Sequence, residues 1–413
     1  MANQETNKHE HKRSWGLLPK LIIAIAAGIA IGLITKSMNF EVPVRIAATF
    51  NSIFGNFLNF VIPLIIVGFI VPGIADLGAG AGKSLAITAG IAYASTIIAG
   101  SFAYGVDSLL FPNFLEKGSI IMDNAQNAEE TMLSGYFTVE MPPLMGVMTA
   151  LIFAFIMGLG IAVIRHEGLK SIFDGFADIV SRLISAIIIP LLPFHIFGIF
   201  ANMAYAGTVA QIMKVFAVVF LIIIIMHWIM LLIQYSIAGS SAKINPISAL
   251  KNMIPAYMTA IGTQSSAATI PVTLQCTKNN DVTPQIADFV IPLCATIHLA
   301  GSTITLTSCA MAVMMLNGWD VTFGHMFPFI LMLGVTMVAA PGVPGGAVMA
   351  ALGVLQSMLG FNENMLTLMI ALYIAQDSFG TACNVTGDGA IAILVDSITG
   401  HKPHLQAKAE ANK

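Results

Sequence analysis

The segment QDSFGTACNVTGD, Gln376 to Asp388, places two carboxylates, an amide and several hydroxyls in the middle of an apolar stretch. Apolar runs at 366–373 and 390–395 flank it on both sides, so these polar groups lie near the centre of a membrane-embedded segment. An aspartate at the centre of a membrane helix costs about 2.5–3.5 kcal/mol. We therefore expect Asp377 and Asp388 to face a cation, a ligand or a water-filled cavity, as in the cargo site of a transporter.

The composition is typical of a membrane protein. Of 413 residues, 57% are hydrophobic and 9% are charged, whereas about a quarter of the residues in soluble domains are charged. A mean hydropathy of +0.85 over this length predicts repeated membrane spans in contact with lipid. The net charge is −3 and the sequence has no long basic run, so we predict no nucleic-acid partner.

The sequence lacks the common motifs of enzymatic chemistry. It contains no Walker A loop and no GxSxG, HExxH or CxxC motif, so we predict neither an ATP-driven pump nor an enzyme, and no cofactor. The cysteines show no metal-ligand spacing and lie in or beside apolar segments. We predict reduced, buried thiols at Cys276, Cys294, Cys309 and Cys383.

The apolar pattern predicts eight transmembrane helices. Six long apolar stretches come first, near 15–34, 46–74, 84–110, 144–164, 172–204 and 209–238. A segment broken at Gly262–Pro271 then precedes a span interrupted at Thr296–Thr303. The same order repeats, with a segment broken at Ala340–Gly346 before the last span, Met365–Val395. Paired Gly/Pro-broken segments are typical of secondary-transporter binding sites, so we expect an all-α polytopic membrane protein with eight spans and two re-entrant helical hairpins.

Basic residues concentrate at alternate ends of the predicted spans. By the positive-inside rule, both termini lie in the cytoplasm, with the multi-pass chain in the inner or plasma membrane. The acidic loop 113–141 then lies outside. The two hairpins open from opposite sides of the membrane, which predicts inverted repeats.

The last span carries the residues most suited to binding. Asp388 follows Asn384 by four residues, so both lie on one helix face and could bind a small hard cation. The alternative is a protonated aspartate bonded to neighbouring helices. We expect Gly387 to break the helix and free carbonyl groups for the ion. Asp377 lies about two turns earlier and could hold a ligand ammonium group; alternatively, it bonds Gln376 or Ser378.

The broken segments carry a second set of candidates. Ser265 and Ser266 lie at the first tip, where the N-terminus of a short helix could hold a ligand carboxylate or the serine could simply cap the helix. Together with the second tip, at Val343, Gly345 and Gly346, they predict a ligand cradle. His298 is either a proton carrier near an ion site or a neutral histidine bonded across helices.

Three motifs together resemble the dicarboxylate/amino acid:cation symporter family, which has the glutamate-transporter fold. The family signature SSSGTLPVT appears as SSAATIPVT at Ser265–Thr273, GVPG lies at Gly342–Gly345, and NVTGD is intact at Asn384–Asp388. The resemblance implies a homotrimer in membrane lipid, in which a mobile transport domain moves as an elevator against a rigid scaffold. It implies uptake of an amino acid by symport with monovalent cations.

The resemblance also implies a division of the chain. The ranges are a cytoplasmic N-terminal tail (1–14), scaffold helices 1–2 (15–82), transport-domain helix 3 (83–110), an extracellular loop (111–143), scaffold helices 4–5 (144–204), transport-domain helix 6 (205–242), hairpin 1 (243–280), helix 7 (281–318), hairpin 2 (319–360), helix 8 (361–398) and a cytoplasmic C-terminal tail (399–413).

By motif position, the resemblance implies roles for individual residues. Asp377 would hold the substrate ammonium group, Asn384 and Ser266 would lie near its carboxylate, and Val343 would close the lid. Thr381 and Ser302 would border the substrate side chain, together with Ser265 and Gly380 in the same pocket. One sodium site would comprise Asp388, Asn384 and the backbone of Cys294. Another would comprise Thr296 and the backbone of Met337, Val338 and Ala340.

Two departures from the family pattern bear on the cargo. The family's NMDGT motif reads HLAGS at His298–Ser302, so Ala300 replaces the aspartate of a third sodium site to which Tyr93 and Thr96 could contribute. The chain would then couple transport to fewer sodium ions, or His298 would carry a proton. Gly380 and Gln264 replace two arginines of members that bind acidic substrates, and a buried unpaired carboxylate is strongly penalised.

The missing arginines favour a carrier for small neutral amino acids such as serine, threonine or alanine. We expect a sodium gradient to drive it, with a proton gradient as the alternative. The alternative within transport is an acidic amino acid or C4-dicarboxylate:cation symporter. A membrane channel is the alternative of another class, and it would need a continuous polar path between the two sides of the membrane.

Overall fold

A computed structural model describes residues 17–78, 83–118, 133–207, 209–338, 340 and 344–399. The predicted N-terminal tail (1–14), the centre of the predicted extracellular loop (119–132), residues 400–413 of the C-terminal tail and Val343 lie outside the described residues. Within these ranges the regular secondary structure is helical, which confirms the predicted all-α class. The cysteine prediction is also confirmed, because all four thiols are free and buried.

The first half of the chain forms long helices. They are α1 (Leu17–Ser37), α2 (Val42–Gly78), α3 (Lys83–Phe114), α4 (Val147–Ile164), α5 (Glu167–Leu183), a π-helical turn (Ile184–Ile188), α6 (Ile189–Ala206) and α7 (Val209–Ala242). The π turn ends two residues before Pro190, which lacks the N–H needed for a regular helical hydrogen bond.

The second half contains shorter helices around one long helix. They are α8 (Pro246–Asn252), α9 (Ile254–Thr263), α10 (Ser266–Lys278), α11 (Pro284–Ile297), α12 (Ala300–Leu316), α13 (Phe323–Val338), α14 (Gly346–Leu359) and α15 (Glu363–Thr399). The breaks between α9 and α10, between α11 and α12, and between α13 and α14 fall at the three interruptions that the sequence predicts. Gly and Pro residues, and polar groups that bond other helices, place these breaks.

Seven helical segments of the described chain are long and apolar enough to cross a membrane. They are Pro19–Ser37, Val42–Ala75, Leu85–Phe114, Glu167–Ala206, Val215–Ala242, Pro284–Leu316 and Glu363–Thr399. The predicted fourth span contains α4, whose apolar part, Ile152–Ile164, is shorter. The protein is therefore a multi-pass helical membrane protein, and eight spans stay a prediction.

The helices pack in two groups. Helices α1, α2, α4, α5 and α6 pack on one another, and α3 packs with α7 and the helices that follow it. Helix α15 is central to the second group, because it contacts α7, α9, α10, α11 and α12. Of the residues in its most apolar stretch, 89% are buried. Its polar residues therefore face protein.

Two polar links join α15 to the first group. The His195 Nε2 atom of α6 lies 3.2 Å from Thr367 Oγ1 of α15, and the Asn59 amide of α2 donates a hydrogen bond to the Glu363 carboxylate. Both α15 residues lie in its first turns. The two groups are thus tied by side-chain hydrogen bonds near one end of α15.

Small residues allow α1 and α6 to approach closely. Gly28 and Gly32 form a GxxxG pattern, which brings helix backbones together in membranes. A Cβ atom at Gly32 would lie 2.2 Å from the Ala201 carbonyl oxygen, and one at Gly28 would lie 2.5 Å from the Phe197 carbonyl oxygen. These backbone atoms cannot move aside independently.

We predict that Gly32→Leu separates α1 from α6 and lowers the free energy of unfolding by about 1–3 kcal/mol, the usual range for overpacking. Unfolding of the purified protein in detergent with increasing denaturant measures the change. Gly90→Leu is the matched control, because nothing lies within 4 Å of a Cβ atom at Gly90. Equal stability of the two variants would contradict the proposed close packing.

Candidate functional site

The polar segment Gln376–Asp388 lies within one continuous helix, α15. The expected helix break at Gly387 is wrong. The glycine instead permits close packing, because a Cβ atom there would lie 2.7 Å from Gln234 Oε1 and 2.9 Å from His298 Cε1. Gly387 thus lets α7 and the α11–α12 break approach the face of α15 that carries Asn384 and Asp388.

We predict that Gly387→Ala displaces Gln234 and the His298 ring and so disturbs the carboxylate beside it. The sodium activation of uptake that the resemblance implies should weaken by about tenfold, equivalent to about 1.4 kcal/mol. Concentration series of sodium in proteoliposome uptake assays measure this effect. Gly262→Ala in α9 should leave activation unchanged, because nothing lies within 4 Å of its Cβ position. Unaltered activation in Gly387→Ala would show that this contact does not support the site.

Asp377 faces the tip of the second broken segment. Its Oδ2 accepts a 2.7 Å hydrogen bond from the Gly345 N–H, and Gly345 is the N-cap of α14 with φ +73°. Thr381 Oγ1 lies 3.5 Å from Asp377 Oδ1, and Asp377 is 4% exposed. A carboxylate at a helix N-terminus is favoured by the helix dipole. The Asp377 carboxylate thus bonds the tip of the second broken segment. The Ser378 hydroxyl, an alternative partner, instead accepts a hydrogen bond from Gln264.

Asn384 caps the N-terminus of α12 with its side-chain amide. Its Oδ1 accepts hydrogen bonds from Gly301 N, at 2.8 Å, and from Ser302 N, at 3.2 Å. Its Nδ2 donates to Ser302 Oγ at 2.9 Å, and Tyr373 donates its hydroxyl hydrogen to the same oxygen at 2.9 Å. The amide therefore satisfies the first N–H groups of α12 and fixes Ser302.

Asp388 bonds the other side of the same helix break. Its Oδ1 lies 2.8 Å from His298 Nδ1, and His298 Nε2 lies 3.1 Å from Ser95 Oγ. The imidazole is thus bonded across helices, as one interpretation predicted, and its partner is a predicted cation ligand. Asp388 Oδ2 has no hydrogen-bond partner in the described structure.

Further unpartnered oxygens lie around Gly387. Thr386 Oγ1 and Gln234 Oε1 are buried without hydrogen-bond partners among the described residues, and Gln234 Nε2 donates to Ser95 Oγ at 2.9 Å. Buried oxygens without donors are unfavourable unless something else binds them. Each of these oxygens, like Asp388 Oδ2, is of the kind that a hard cation prefers as a ligand.

The first broken segment packs its tip on α15. Gln264, with φ +53°, donates its side-chain N–H to Ser378 Oγ at 2.8 Å. Ser265 is the N-cap of α10, and its hydroxyl accepts a hydrogen bond from Ala268 N. Ser265 therefore caps the helix, as one of the two interpretations predicted. Ser266 is buried. The tip that follows Gln264 is therefore held beside the polar face of α15.

Gly380 lies where α15 crosses α12. A Cβ atom at Gly380 would lie 3.6 Å from both Ser302 N and Thr305 Oγ1, which is ordinary contact. One at Gly301 would lie 2.5 Å from the Gly380 carbonyl oxygen. The crossing is thus close, and Gly380 borders Ser302 as the predicted side-chain pocket requires.

The remaining predicted cation ligands are more dispersed. Thr296 is exposed and bonds the Leu293 carbonyl, while the Cys294 carbonyl accepts from His298 N at 2.9 Å. Met337 and Val338 end α13, and Ala340, which follows it, donates its N–H to the Met337 carbonyl. On α3, Tyr93 donates to the Leu331 carbonyl and Thr96 to the Ala92 carbonyl.

No group of three or more His, Cys, Asp or Glu side chains arranged to hold a metal ion occurs in the described ranges. A cation at any of these positions would depend on carbonyl, hydroxyl and amide oxygens. The prediction of sodium sites built from backbone oxygens is compatible with this arrangement and stays a prediction.

Sequence reasoning did not identify three residues of this network. Tyr373 and Ser95 are ordinary residues of apolar helices, and nothing local distinguishes them. Gln234 offered a signal, because it is a polar residue inside the long apolar stretch of α7. Gln234 could have been predicted as a site residue in the same way as Asp377, because a polar side chain inside a membrane span is costly.

Comparisons with known proteins agree on one family. A family model described as the sodium:dicarboxylate symporter family matches residues 17–398. Excitatory amino acid transporter 1 of Ambystoma tigrinum is 28% identical over 294 residues, which are 68% of this chain and 53% of that protein. Serine/threonine transporter SstT of Acinetobacter baumannii (strain AYE) is 26% identical over 394 residues, 92% of this chain and 96% of that protein. The match thus spans about half the length of the first relative and nearly all of the second.

Proposed function

This chain belongs to the sodium:dicarboxylate symporter family, and on that premise we propose that it is a secondary symporter that takes up small neutral amino acids with sodium. The family and the relatives named above are transporters and not enzymes. The name of the bacterial relative, which aligns along nearly its whole length, supports serine or threonine as cargo.

The observation that carries this proposal is the buried Asp377 carboxylate at the tip of α14. A ligand ammonium group would add a charge-assisted bond to this carboxylate. The N-terminus of α10, at Ser265 and Ser266, would receive the ligand carboxylate. Asn384 would also lie near the ligand carboxylate, beside the Ser302 and Thr381 hydroxyls.

The charge balance of the site favours a neutral side chain. The broken segments and the polar part of α15 contain no lysine or arginine, in the ranges Gly262–Pro271, Thr296–Thr303, Ala340–Gly346 and Gln376–Asp388. His298, the basic side chain in these ranges, already bonds Asp388. A second ligand carboxylate would be buried without a cationic partner, which is strongly unfavourable.

The proposed coupling ion is sodium, bound beside Asp388. The unpartnered Asp388 Oδ2 supports this assignment, since an orphaned buried carboxylate oxygen is a suitable ligand for a hard cation. Asn384 and the Cys294 carbonyl would contribute to this ion, and Thr296 with the end of α13 to another.

The proposed mechanism is an elevator movement in a homotrimer, with eight spans, two re-entrant hairpins and both termini in the cytoplasm. Most helix contacts fall within one of the two groups, with α14 packing on α2 and α4 between them, and this grouping supports a mobile and a static unit. In such a movement the His195–Thr367 and Asn59–Glu363 links would break and re-form, since each joins one group to the other.

A second candidate is symport of an acidic amino acid or a C4-dicarboxylate. The family description and the name excitatory amino acid transporter favour it. The bound cation for the extra carboxylate would then come from an unrecognised position. A channel, the candidate of another class, finds no support in a family of symporters.

Uptake by purified protein in proteoliposomes tests these candidates. Radiolabelled serine, threonine, alanine, aspartate, glutamate and succinate are supplied with an inward sodium gradient and without one. We expect saturable, sodium-dependent uptake of the three neutral amino acids. Preferential uptake of aspartate, glutamate or succinate would establish the second candidate, and non-saturating flux without a gradient would indicate a channel.

A further inference from the structure

Another buried carboxylate, that of Asp107, lies outside the site described above, on α3. Asp107 is 0% exposed, and its helix neighbours Ala103 and Phe111 belong to the hydrophobic core. Neither Asp107 carboxylate oxygen has a hydrogen-bond partner in the described structure. It takes part in none of the ion pairs observed between described residues. The charged form of a carboxylate is strongly disfavoured in such surroundings.

Polar groups lead from Asp107 to α15. The Ser308 hydroxyl of α12 lies beside the Asp107 carboxyl group, without meeting the geometry of a hydrogen bond, and is itself unpartnered and buried. The next residue, Cys309, accepts from Gln376 Nε2 at 3.7 Å. Gln376 Oε1 is also buried and unpartnered, and Gln376 directly precedes Asp377. These four residues, Asp107, Ser308, Cys309 and Gln376, form the Asp107 cluster. The cluster connects α3 with α15, the helix that carries Asp377.

No cationic side chain neutralises the Asp107 cluster in the part of the chain that the structure describes. Of the titratable groups on helices packed against α3, the Cys309 thiol of α12 is the one that interacts with Asp107. Other titratable groups on these helices bond residues outside the Asp107 cluster. On α2, α11 and α13, Arg45 bonds Glu41, Asp288 bonds Lys278 and His325 bonds the Met358 carbonyl. On α7, His227 bonds Gly301 and Thr305, and Tyr235 bonds the Thr386 carbonyl. On α15, Glu363 bonds Asn59, Tyr373 bonds Ser302, Asp377 bonds Gly345, Cys383 bonds the His227 carbonyl, Asp388 bonds His298 and Asp396 bonds Thr283.

We propose that Asp107 is a proton-binding site, a carboxylic acid that takes up one proton from water on one side of the membrane and releases it on the other during transport. The inference rests on the proposed symport. A protonated carboxyl group has one O–H donor, and the Ser308 oxygen is the adjacent acceptor. The carboxylate gains and loses only a proton, so no further reactant is needed.

A proton suits the Asp107 cluster better than sodium does. Beside the Asp107 carboxylate lies one further oxygen, the Ser308 hydroxyl, and sulfur, as in the adjacent Cys309, is a poor ligand for a hard cation. Gln376, whose Oε1 is also unpartnered, bonds Cys309 and not Asp107. The position of Gln376 next to Asp377 gives proton binding a physical connection to substrate binding.

Proton movement per substrate molecule tests the assignment. The full chain is reconstituted in proteoliposomes that contain a pH-sensitive dye, and proton uptake is divided by radiolabelled serine uptake under a sodium gradient. We expect Asp107→Asn, which mimics the neutral acid, to lower this ratio by about tenfold or more and to remove the pH dependence of serine uptake. Ser108→Ala is the matched control, since the exposed Ser108 hydroxyl bonds only the Gly105 carbonyl, and it should keep the wild-type ratio.

Several results would overturn the assignment. An unchanged proton-to-serine ratio in Asp107→Asn would do so, and so would loss of sodium flux instead of proton flux. Wild-type serine uptake without proton movement would overturn the proton site and leave sodium symport intact. Absence of any amino-acid uptake by the wild type would instead overturn the proposed function.

Infrared difference spectra between acidic and alkaline buffer test the site without transport. We expect a carboxylic-acid C=O band in the wild type that is missing in Asp107→Asn, and identical spectra would overturn the assignment. If Asp107→Asn does not fold, Asp107→Glu replaces it, because it retains the acid. Its band should then shift in frequency, and an unshifted band would exclude Asp107 as its source.

Discussion

Replacing Asp377 with asparagine is expected to abolish amino-acid binding while leaving the helical fold intact. The asparagine oxygen can still accept the Gly345 N–H, so the tip of α14 keeps its contact with α15. The variant loses the negative charge that would pair with a ligand ammonium group. Affinity for serine should fall by at least about 100-fold, equivalent to about 2.7 kcal/mol, as measured by calorimetry in saturating sodium.

A second aspartate of the same helix provides the control for Asp377→Asn. Asp396 is buried and accepts the Thr283 N–H at 3.2 Å, a bond that an asparagine can also accept. Asp396→Asn should therefore bind serine like the wild type. Serine affinity within threefold of wild type in Asp377→Asn would exclude the ammonium role of Asp377.

Replacing Asp388 with asparagine is expected to weaken the activation of uptake by sodium. The change neutralises the carboxylate whose Oδ2 is unpartnered and weakens the bond to His298. The sodium concentration for half-maximal uptake should rise by at least about tenfold, equivalent to about 1.4 kcal/mol. Sodium binding measured without amino acid separates this effect from changes in substrate affinity.

The two aspartate variants serve as controls for each other. Asp377→Asn should still bind sodium in the absence of substrate, and Asp388→Asn should still bind serine when sodium is high enough. If Asp388→Asn keeps normal sodium binding, the cation lies elsewhere. His298→Gln combined with Asp388→Asn in a double-mutant cycle then measures the histidine–aspartate interaction alone.

The sequence predicts the helices and their breaks because both depend on local composition. Long apolar stretches form helices in lipid because every backbone polar group must be satisfied within the segment. The interruptions near Gln264, His298 and Gly345 carry glycine, proline or polar clusters in the sequence, so their positions could be predicted. Seven of the spans are long and apolar by composition, whereas α4 is too short in its described apolar part for the same conclusion.

The partners of the polar residues could not be predicted in this way. The hydrogen bond between His298 and Asp388 joins residues 90 positions apart, and no local pattern encodes that pairing. The error at Gly387 has the same origin. Glycine is less favourable in a helix than alanine by about 1 kcal/mol, which favours a break. Gln234 and His298, however, pack against α15 so closely that a side chain at position 387 would not fit, and the helix continues through the glycine.

The proposed sodium role of Asn384 would link ion occupancy to local order. The Asn384 side-chain oxygen already accepts the Gly301 and Ser302 N–H groups, so a sodium ion bound to that oxygen would compete with them for its lone pairs. Binding free energies are reciprocal: an ion that loosens the first turn of α12 is in turn repelled when that turn tightens. Amide hydrogen exchange at Gly301 and Ser302 should therefore speed up as sodium is added, making these two backbone protons a direct gauge of ion loading.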